Sequence, residues 1–169
     1  FTNYAGNVTL TDAAPSAANL AIINNKTSGT VTLNANNATF TGSAADVAAA
    51  FSGGLVGTQT GALTLSDNTG TIAATTLTDI TAQTDGAVGM ASGNVTIQGT
   101  TAEITAALVT GETKITASSA NVIFTDDPTA AQLSAINAET SGTITLNDNT
   151  QTFSGTASDV SGAFSGGLE

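Results

Sequence analysis

Short stretches of the chain alternate aliphatic residues with threonine. Residues 8–11 (VTLT) and 143–146 (TITL) show this alternation most clearly. A period of two residues places successive side chains on opposite faces of a β-strand, and threonine and β-branched aliphatics suit a half-exposed strand. The pattern therefore predicts many short strands, each with an aliphatic face toward the core and a threonine face toward solvent.

Helices are predicted between the strands, where apolar residues recur at helical spacing behind a hydroxyl residue. Val47 and Phe51, for example, lie one helical turn apart. At three helix starts a Ser or Thr stands three residues before an acid, so that the hydroxyl can accept a hydrogen bond from a backbone N–H while the acid reaches back. The pairs are Ser43 with Asp46, Thr100 with Glu103, and Thr156 with Asp159. The even spacing of these acids would also allow a calcium-binding column of carboxylates, but capping accounts for the hydroxyl at every position.

Glycines are predicted to end the helices, because glycine readily adopts the left-handed conformation that follows a helix C-terminus. Gly29, Gly86 and Gly142 follow one set of helices. Gly53–Gly54 and Gly166–Gly167 follow two helices of the other set.

The whole pattern repeats. Residues 28–55, SGTVTLNANNATFTGSAADVAAAFSGGL, return as residues 141–168 with 19 of 28 positions identical. A third copy fills the interval, because Leu20 recurs as Leu77 and again as Leu133, at two nearly equal steps along the chain. A second set keeps the same steps: Phe40, Val47 and Phe51, then Ile97, Ile104 and Leu108, then Phe153, Val160 and Phe164. We therefore expect three repeats in which these residues form the core.

Each repeat divides into two similar halves with the order strand, strand, short helix. The predicted fold class is an α/β repeat: a β-rich solenoid of six such units in one domain, whose stacked units cover each other's apolar stripes. The units are expected at residues 1–28, 29–54, 55–86, 87–111, 112–141 and 142–169. The segments NANNA and NDNTQ suit either hairpin turns or solenoid corners. Corners are favoured because a coil distributes its apolar residues evenly.

Composition excludes several classes of partner. Charged residues make up 9% of the 169 residues, the net charge is −11, and the only cations are Lys26 and Lys114. Binding to nucleic-acid phosphates or anionic lipid needs clustered Lys and Arg, so neither is an expected partner. No run approaches the roughly 18 apolar residues of a membrane span, so membrane insertion is not expected.

Catalysis has few candidate groups, because the chain contains no His and no Cys. Neither lysine lies in a motif that positions a serine nucleophile. Solvent-facing acids along a repeat also lack the cleft in which a glycosidase raises the pKa of one carboxyl. We therefore expect a protein that is not an enzyme.

No cofactor is expected, and calcium is the best candidate for a bound metal. Asp12, Asp67, Asp126 and Asp127 follow strands and lie within a few residues of the next helix. Their loops could supply the carboxylate, carbonyl and hydroxyl oxygens that calcium prefers. Turn formation and helix capping are the competing roles for these residues.

The phrases TAAQLSAINAETSGTITL and FTGSAADVAAAF resemble tandem-repeat tracts of very large secreted proteins of cyanobacteria and other marine bacteria, described as adhesin-like or surface-layer-like. The resemblance covers essentially the whole chain. It implies an extracellular or cell-surface module without catalytic residues, such as a stalk, surface-layer or adhesin segment. The expected partners are neighbouring repeats of a longer array or other copies of the chain, because uncapped ends invite stacking.

Two other classes of function are consistent with the sequence. One is a surface-binding module for a glycan, ice or a receptor, since the Thr-x-Thr strands resemble the threonine ranks of ice-binding solenoids. The other is a segment of a viral fibre, which would form an intertwined trimer.

Overall fold

A computed structural model describes residues 3–91, 94–110 and 114–169. Within these ranges the protein is an α/β fold with six helices and eleven short strands. The chain forms two compact units. The first contains the described residues up to Asp67 together with Asp79–Ala91, and the second contains Asn68–Thr78 together with the described residues from Asn94 onward.

The helices and strands alternate along the chain. The helices are α1 Ala17–Lys26, α2 Ala44–Phe51, α3 Ala74–Ala82, α4 Thr101–Leu108, α5 Ala130–Asn137 and α6 Ala157–Ala163. The strands are β1 Val8–Thr9, β2 Val31–Thr32, β3 Phe40–Gly42, β4 Leu63–Leu65, β5 Gly70–Ala73, β6 Val88–Met90, β7 Val95–Gly99, β8 Ile115–Thr116, β9 Asn121–Phe124, β10 Thr143–Thr145 and β11 Gly167–Leu168.

Strand pairing is parallel throughout the described residues, and the offset along the chain between paired residues is nearly constant, as in Val8 with Val31 and Leu63 with Val88. In the first unit β1 pairs with β2, and β4 lies between β3 and β6. In the second unit the order is β5, β7, β9, β10, β11. The strands flanking NANNA, β2 and β3, belong to different sheets, so this segment is not a hairpin turn.

Equivalent helical residues of the three repeats occupy matching places. Leu20, Leu77 and Leu133 are each the fourth residue of a helix, and each is fully buried. Val47 and Ile104 hold the fourth place in α2 and α4 and are also fully buried. The prediction that the repeat sets the core is therefore confirmed at these positions.

The last copy of the repeat differs from the first in burial. Phe40 and Phe51 pack edge to face with ring centroids 5.6 Å apart, and both are buried. Phe153 and Phe164 pack with the same 5.6 Å separation, yet Phe164 is 55% exposed. The expectation that Phe164 belongs to the core is wrong. In the first copy β4 pairs with β3, whereas residues 153–155 form no strand.

Glycine has a different role after the odd-numbered helices from the one the sequence suggests. The positive φ of Gly53, +125°, confirms a left-handed helix end after α2. Gly29, Gly86 and Gly142 do not have positive φ. A Cβ at these positions would instead overlap a backbone carbonyl oxygen, that of Gly6, Gly61 and Ala120 respectively. These glycines are needed because two backbones approach closely, not because a helix ends there.

A threonine two residues before each of these glycines bridges the two backbones. The Thr27 hydroxyl donates to the Gly6 carbonyl at 2.8 Å and accepts from the Gly29 N–H at 3.0 Å. Thr140 donates to the Ala120 carbonyl and accepts from Gly142 in the same way. The Thr-x-Gly motif therefore links neighbouring chain segments through the hydrogen bonds of its threonine hydroxyl.

We predict that Phe51→Ala lowers the free energy of unfolding by about 3–5 kcal/mol, because it removes a buried ring. Phe164→Ala removes the equivalent but exposed ring and should change it by about 1 kcal/mol or less. Urea denaturation measures both. Equal losses in the two variants would contradict this difference between the copies.

We predict that Gly86→Ala lowers the free energy of unfolding by about 1–3 kcal/mol, because its Cβ would overlap the Gly61 carbonyl. Gly89→Ala is the matched control, since its Cβ would come no closer than 3.9 Å to the Leu63 oxygen, and it should stay within about 0.5 kcal/mol of the unchanged chain. A tolerated alanine at position 86, seen by thermal melting, would contradict the close approach.

Candidate functional site: the repeat junction

Hydroxyl side chains cap the starts of the even-numbered helices, as the sequence predicts. The Asp46 N–H donates to the Ser43 hydroxyl at 3.1 Å, and the Asp159 N–H donates to the Thr156 hydroxyl at 3.1 Å. At α4 the capping box is complete, because the Glu103 carboxylate also accepts from the Thr100 N–H at 2.8 Å. The aspartates accept from the cap hydroxyl instead, since their side chain is one methylene shorter.

A second acid caps α2 and α4 from a later part of the chain. The Asp67 carboxylate accepts from the Ala44 N–H at 2.7 Å. Asp126 accepts from both the Thr101 N–H, at 2.6 Å, and the Thr101 hydroxyl, at 2.7 Å. A carboxylate is favoured at this position because it satisfies an unpaired N–H and lies at the positive end of the helix.

Parallel strand pairing brings these aspartates to the helices. Phe40 of β3 lies opposite Leu63 of β4, and Ile97 of β7 lies opposite Val122 of β9. In both cases α2 or α4 follows the first strand of the pair, and the aspartate lies two residues beyond the second. We call this arrangement the repeat junction: β3, the start of α2, β4 and Asp67, or equally β7, the start of α4, β9 and Asp126.

Two of the four predicted calcium ligands, Asp67 and Asp126, cap helices. Asp67 and Asp126 cap helices that precede them in the chain, not the next helix as expected from their place in the sequence. Asp12 and Asp127 are both exposed; Asp127 follows Asp126 directly, and the Asn147 side-chain amide donates to it at 3.4 Å. In the described parts of the chain no three acids lie close enough to hold a metal ion, and calcium at these loops stays a prediction.

Among the acids that the structure describes, Asp148 has a clear pKa shift. The Thr150 hydroxyl donates to its carboxylate at 2.7 Å, and the Thr150 N–H donates at 2.8 Å. These bonds favour the ionised form and hold the pKa of Asp148 below its usual value. The group is fully exposed, so we assign it to shaping the NDNTQ segment.

Asparagine side chains cap helix C-termini, which the sequence analysis missed. Asn24, in α1, donates to the Ala49 carbonyl at 3.0 Å and to the Ser52 carbonyl, both at the end of α2. Asn137, in α5, donates to the Gly162 carbonyl of α6 at 2.9 Å. Both asparagines hold the eighth place of their helix, and this shared position is the signal that could have identified them.

Comparison with known proteins leaves the chain without an assigned family. No protein-family model, curated protein or solved structure matches it. Among the described helices, none has the length and apolar character required to cross a membrane.

We predict that Asp126→Ala lowers the free energy of unfolding by about 0.5–2 kcal/mol, the usual effect of losing a helix cap. Asp127→Ala makes the same change in charge at the neighbouring position, which caps no helix, and it should stay within about 0.5 kcal/mol of the unchanged chain. Thermal and urea denaturation compare the two variants. A calcium site shared by both acids would instead appear as a calcium-dependent rise in melting temperature that both variants lose.

Proposed function

We propose that the chain is a non-catalytic structural repeat module of an extracellular surface protein, of the stalk, surface-layer or adhesin-segment kind. In this proposal its strands and helices form a solenoid in which each repeat supplies the covering surface of the one before it. Its function is mechanical: it spaces, stiffens or assembles the larger protein.

The observation that carries this proposal is the nearly constant offset in sequence between paired strands. A solenoid has this property, because the chain returns to the same place once per coil and contacts mainly its neighbours. The junction at Asp67 and its counterpart at Asp126 use the same strand register and the same helix cap. Repetition of one interface supports a module that is used in series.

The acids also support a structural role. Five carboxylates are engaged with helix starts: Asp46, Asp67, Glu103, Asp126 and Asp159. The carboxylates of Asp67, Glu103 and Asp126 accept from backbone N–H groups that would otherwise be unsatisfied. Those of Asp46 and Asp159 accept from the capping hydroxyl. Acids that form these hydrogen bonds contribute to the stability of the fold.

The threonine rows favour this proposal over ice binding. Thr41 lies opposite Thr64, but the next strand presents Gly89 opposite Thr64. Thr71 lies opposite Thr96, and Asn121 follows opposite Thr96. Each row therefore contains two threonines before another residue interrupts it. We expect no thermal hysteresis in a freezing assay, and a clear hysteresis gap would favour the ice-binding function instead.

The deletion of one repeat tests the modular architecture. Removing residues 63–121 joins Ala62 to Val122, so that Val122–Phe124 takes the place of Leu63–Leu65 opposite β3 and Asp126 takes the place of Asp67. We predict that this shortened chain folds cooperatively, with circular dichroism per residue close to that of the full chain.

The matched control is a deletion that extends slightly further. Removing residues 63–126 also takes away the strand and aspartate that complete the junction with β3 and α2, and we expect that chain to be unfolded or aggregated. If both deletions unfold, or if both fold equally well, the repeats are not interchangeable modules and the structural proposal fails.

The extracellular part of the proposal has its own test. Antibodies raised against the chain should label intact cells of the organism that produces it. Labelling that appears only after the cells are permeabilised would contradict a surface location.

A further inference from the structure

We propose that the junction between Asp85 and Gly86 is a site of spontaneous backbone isomerisation, which the folded chain suppresses through the hydroxyl of Thr84 and which unfolding releases. The modification converts the aspartate to isoaspartate, and its only co-reactant is water. The inference goes beyond the proposed function, because it concerns the chemical lifetime of the folded chain and does not depend on where the protein is located.

Asp85 and Gly86 are the one place in the sequence where an aspartate or asparagine precedes a glycine. In such a pair the glycine nitrogen can attack the carboxyl carbon of the preceding side chain, because glycine has no Cβ to hinder the approach. The new N–C bond closes a five-membered succinimide ring, and the carboxyl oxygen leaves as water with the amide proton.

Water then opens the succinimide ring at one of its two carbonyl carbons. When the bond between the nitrogen and the original backbone carbonyl carbon breaks, the main chain is left running through the side-chain carbon. The product is isoaspartate, which has the same atoms as aspartate and a backbone longer by one methylene group.

Hydrogen bonds in the folded chain hold the nitrogen that would attack. The Gly86 N–H donates to the Thr84 hydroxyl at 2.9 Å, and this hydroxyl donates to the Gln59 carbonyl at 2.9 Å. The Asp85 N–H donates to the same carbonyl at 2.6 Å. Ring closure requires the Gly86 nitrogen to turn toward the Asp85 side chain, so it must first break this set of bonds.

Burial separates the two reacting groups further. Asp85 is exposed, whereas Gly86 is buried and Thr84 is 1% exposed. A Cβ at Gly86 would overlap the Gly61 carbonyl, so the backbone at this position has little room to rotate. The site is therefore protected by local structure although its aspartate faces solvent.

The other two Thr-x-Gly motifs show that the fold does not require an acid at the middle position. That position is Ser28 in one motif and Ser141 in the other, and both are exposed, as Asp85 is. Each serine N–H donates to a carbonyl of a distant segment at 2.9 Å, which is the contact that Asp85 makes. Serine is therefore the substitution that removes the reactive pair with the least change to the structure.

Isomerisation has a structural consequence, because the added methylene group lies just before Gly86. Gly86 packs against the Gly61 carbonyl, and Val88, two residues further on, pairs with Leu63. A backbone that is one atom longer cannot keep both contacts in place. We therefore expect an isomerised chain to refold with a lower melting temperature, so that prolonged unfolding leaves a permanent loss of stability.

Incubation of the full chain at physiological temperature and neutral pH, with and without concentrated urea, tests the site and its protection. Isoaspartate is located by peptide mapping and quantified with an isoaspartate-specific methyltransferase. We expect isomerisation at Asp85 to be at least about 10-fold slower in the folded chain, since it requires local opening. Asp85→Ser should abolish the signal. Absence of isoaspartate at Asp85 in urea would overturn the site, and equal rates in the two conditions would overturn its protection.

Variants of Thr84 test the role of its hydroxyl in the folded chain. Thr84→Val should accelerate isomerisation by about 2- to 12-fold, the range expected for one hydrogen bond, and Thr84→Ser, which keeps the hydroxyl, should stay near the original rate. Thr140→Val is the matched control, because Thr140 makes the equivalent bonds in the second unit. Equal acceleration by Thr84→Val and Thr140→Val would mean that global unfolding sets the rate, and it would overturn the role of Thr84.

A further variant decides the matter if Thr84→Val does not fold. Ser28→Asp places a second Asp–Gly pair behind Thr27, whose hydroxyl accepts from the Gly29 N–H at 3.0 Å. This pair should isomerise slowly in the folded chain and rapidly in urea, as the pair at Asp85 does. Isomerisation at the urea rate in a folded Ser28→Asp chain would contradict protection by the threonine hydroxyl.

The stability of the isomerised chain is measured after it has been separated by reversed-phase chromatography and refolded. Its melting temperature should be lower than that of unmodified chain taken through the same steps. Equal melting temperatures would contradict the structural consequence. None of these outcomes bears on whether a chain lacking residues 63–121 folds, so the modular architecture is tested independently.

Discussion

Parallel backbone pairing between segments at a nearly constant offset in sequence is the constraint on which the other features depend. It brings Gly86 against the Gly61 carbonyl and Asp67 to the start of α2. The fourth residue is fully buried in α1 to α5, whereas in α6 it is the half-buried Val160. With few large side chains and few charges, the chain obtains much of its cohesion from backbone contacts and from short polar side chains that reach backbone groups.

Sequence periodicity predicted the local parts of this structure well. The capping hydroxyls Ser43, Thr100 and Thr156 and the buried leucines follow from local spacing and from the long repeat, and the structure confirms them. Successive helices begin about one half-repeat apart, as at Ala17 and Ala44. Strand partners lie a few residues closer than this, so paired residues stand at different distances from the helices that follow them, as Ile72 and Ile97 do.

That mismatch explains what the sequence alone did not predict. Asp67 and Asp126 lie close in sequence to the following helix, yet strand register places them against the preceding one. The sequence predicts that the glycines of Thr-x-Gly end helices, because glycine is common at that position. Their real constraint is a carbonyl that is distant in sequence, such as that of Gly61 for Gly86. The long repeat shows that these glycines recur, but local spacing does not reveal which distant carbonyl each one approaches.

The two copies of the repeated segment, residues 28–55 and 141–168, show that burial in this fold depends on the neighbouring repeat. Phe51 and Phe164 hold the same place in nearly the same sequence and pack against equivalent rings at the same distance. One is 2% exposed and the other 55%. Intrinsic propensity is nearly equal in the two copies, so it does not account for the difference in burial. The buried ring, Phe51, belongs to the copy in which β4 pairs with β3 and Asp67 caps α2. Burial in this fold therefore depends on strand pairing and capping contacts that are distant in sequence.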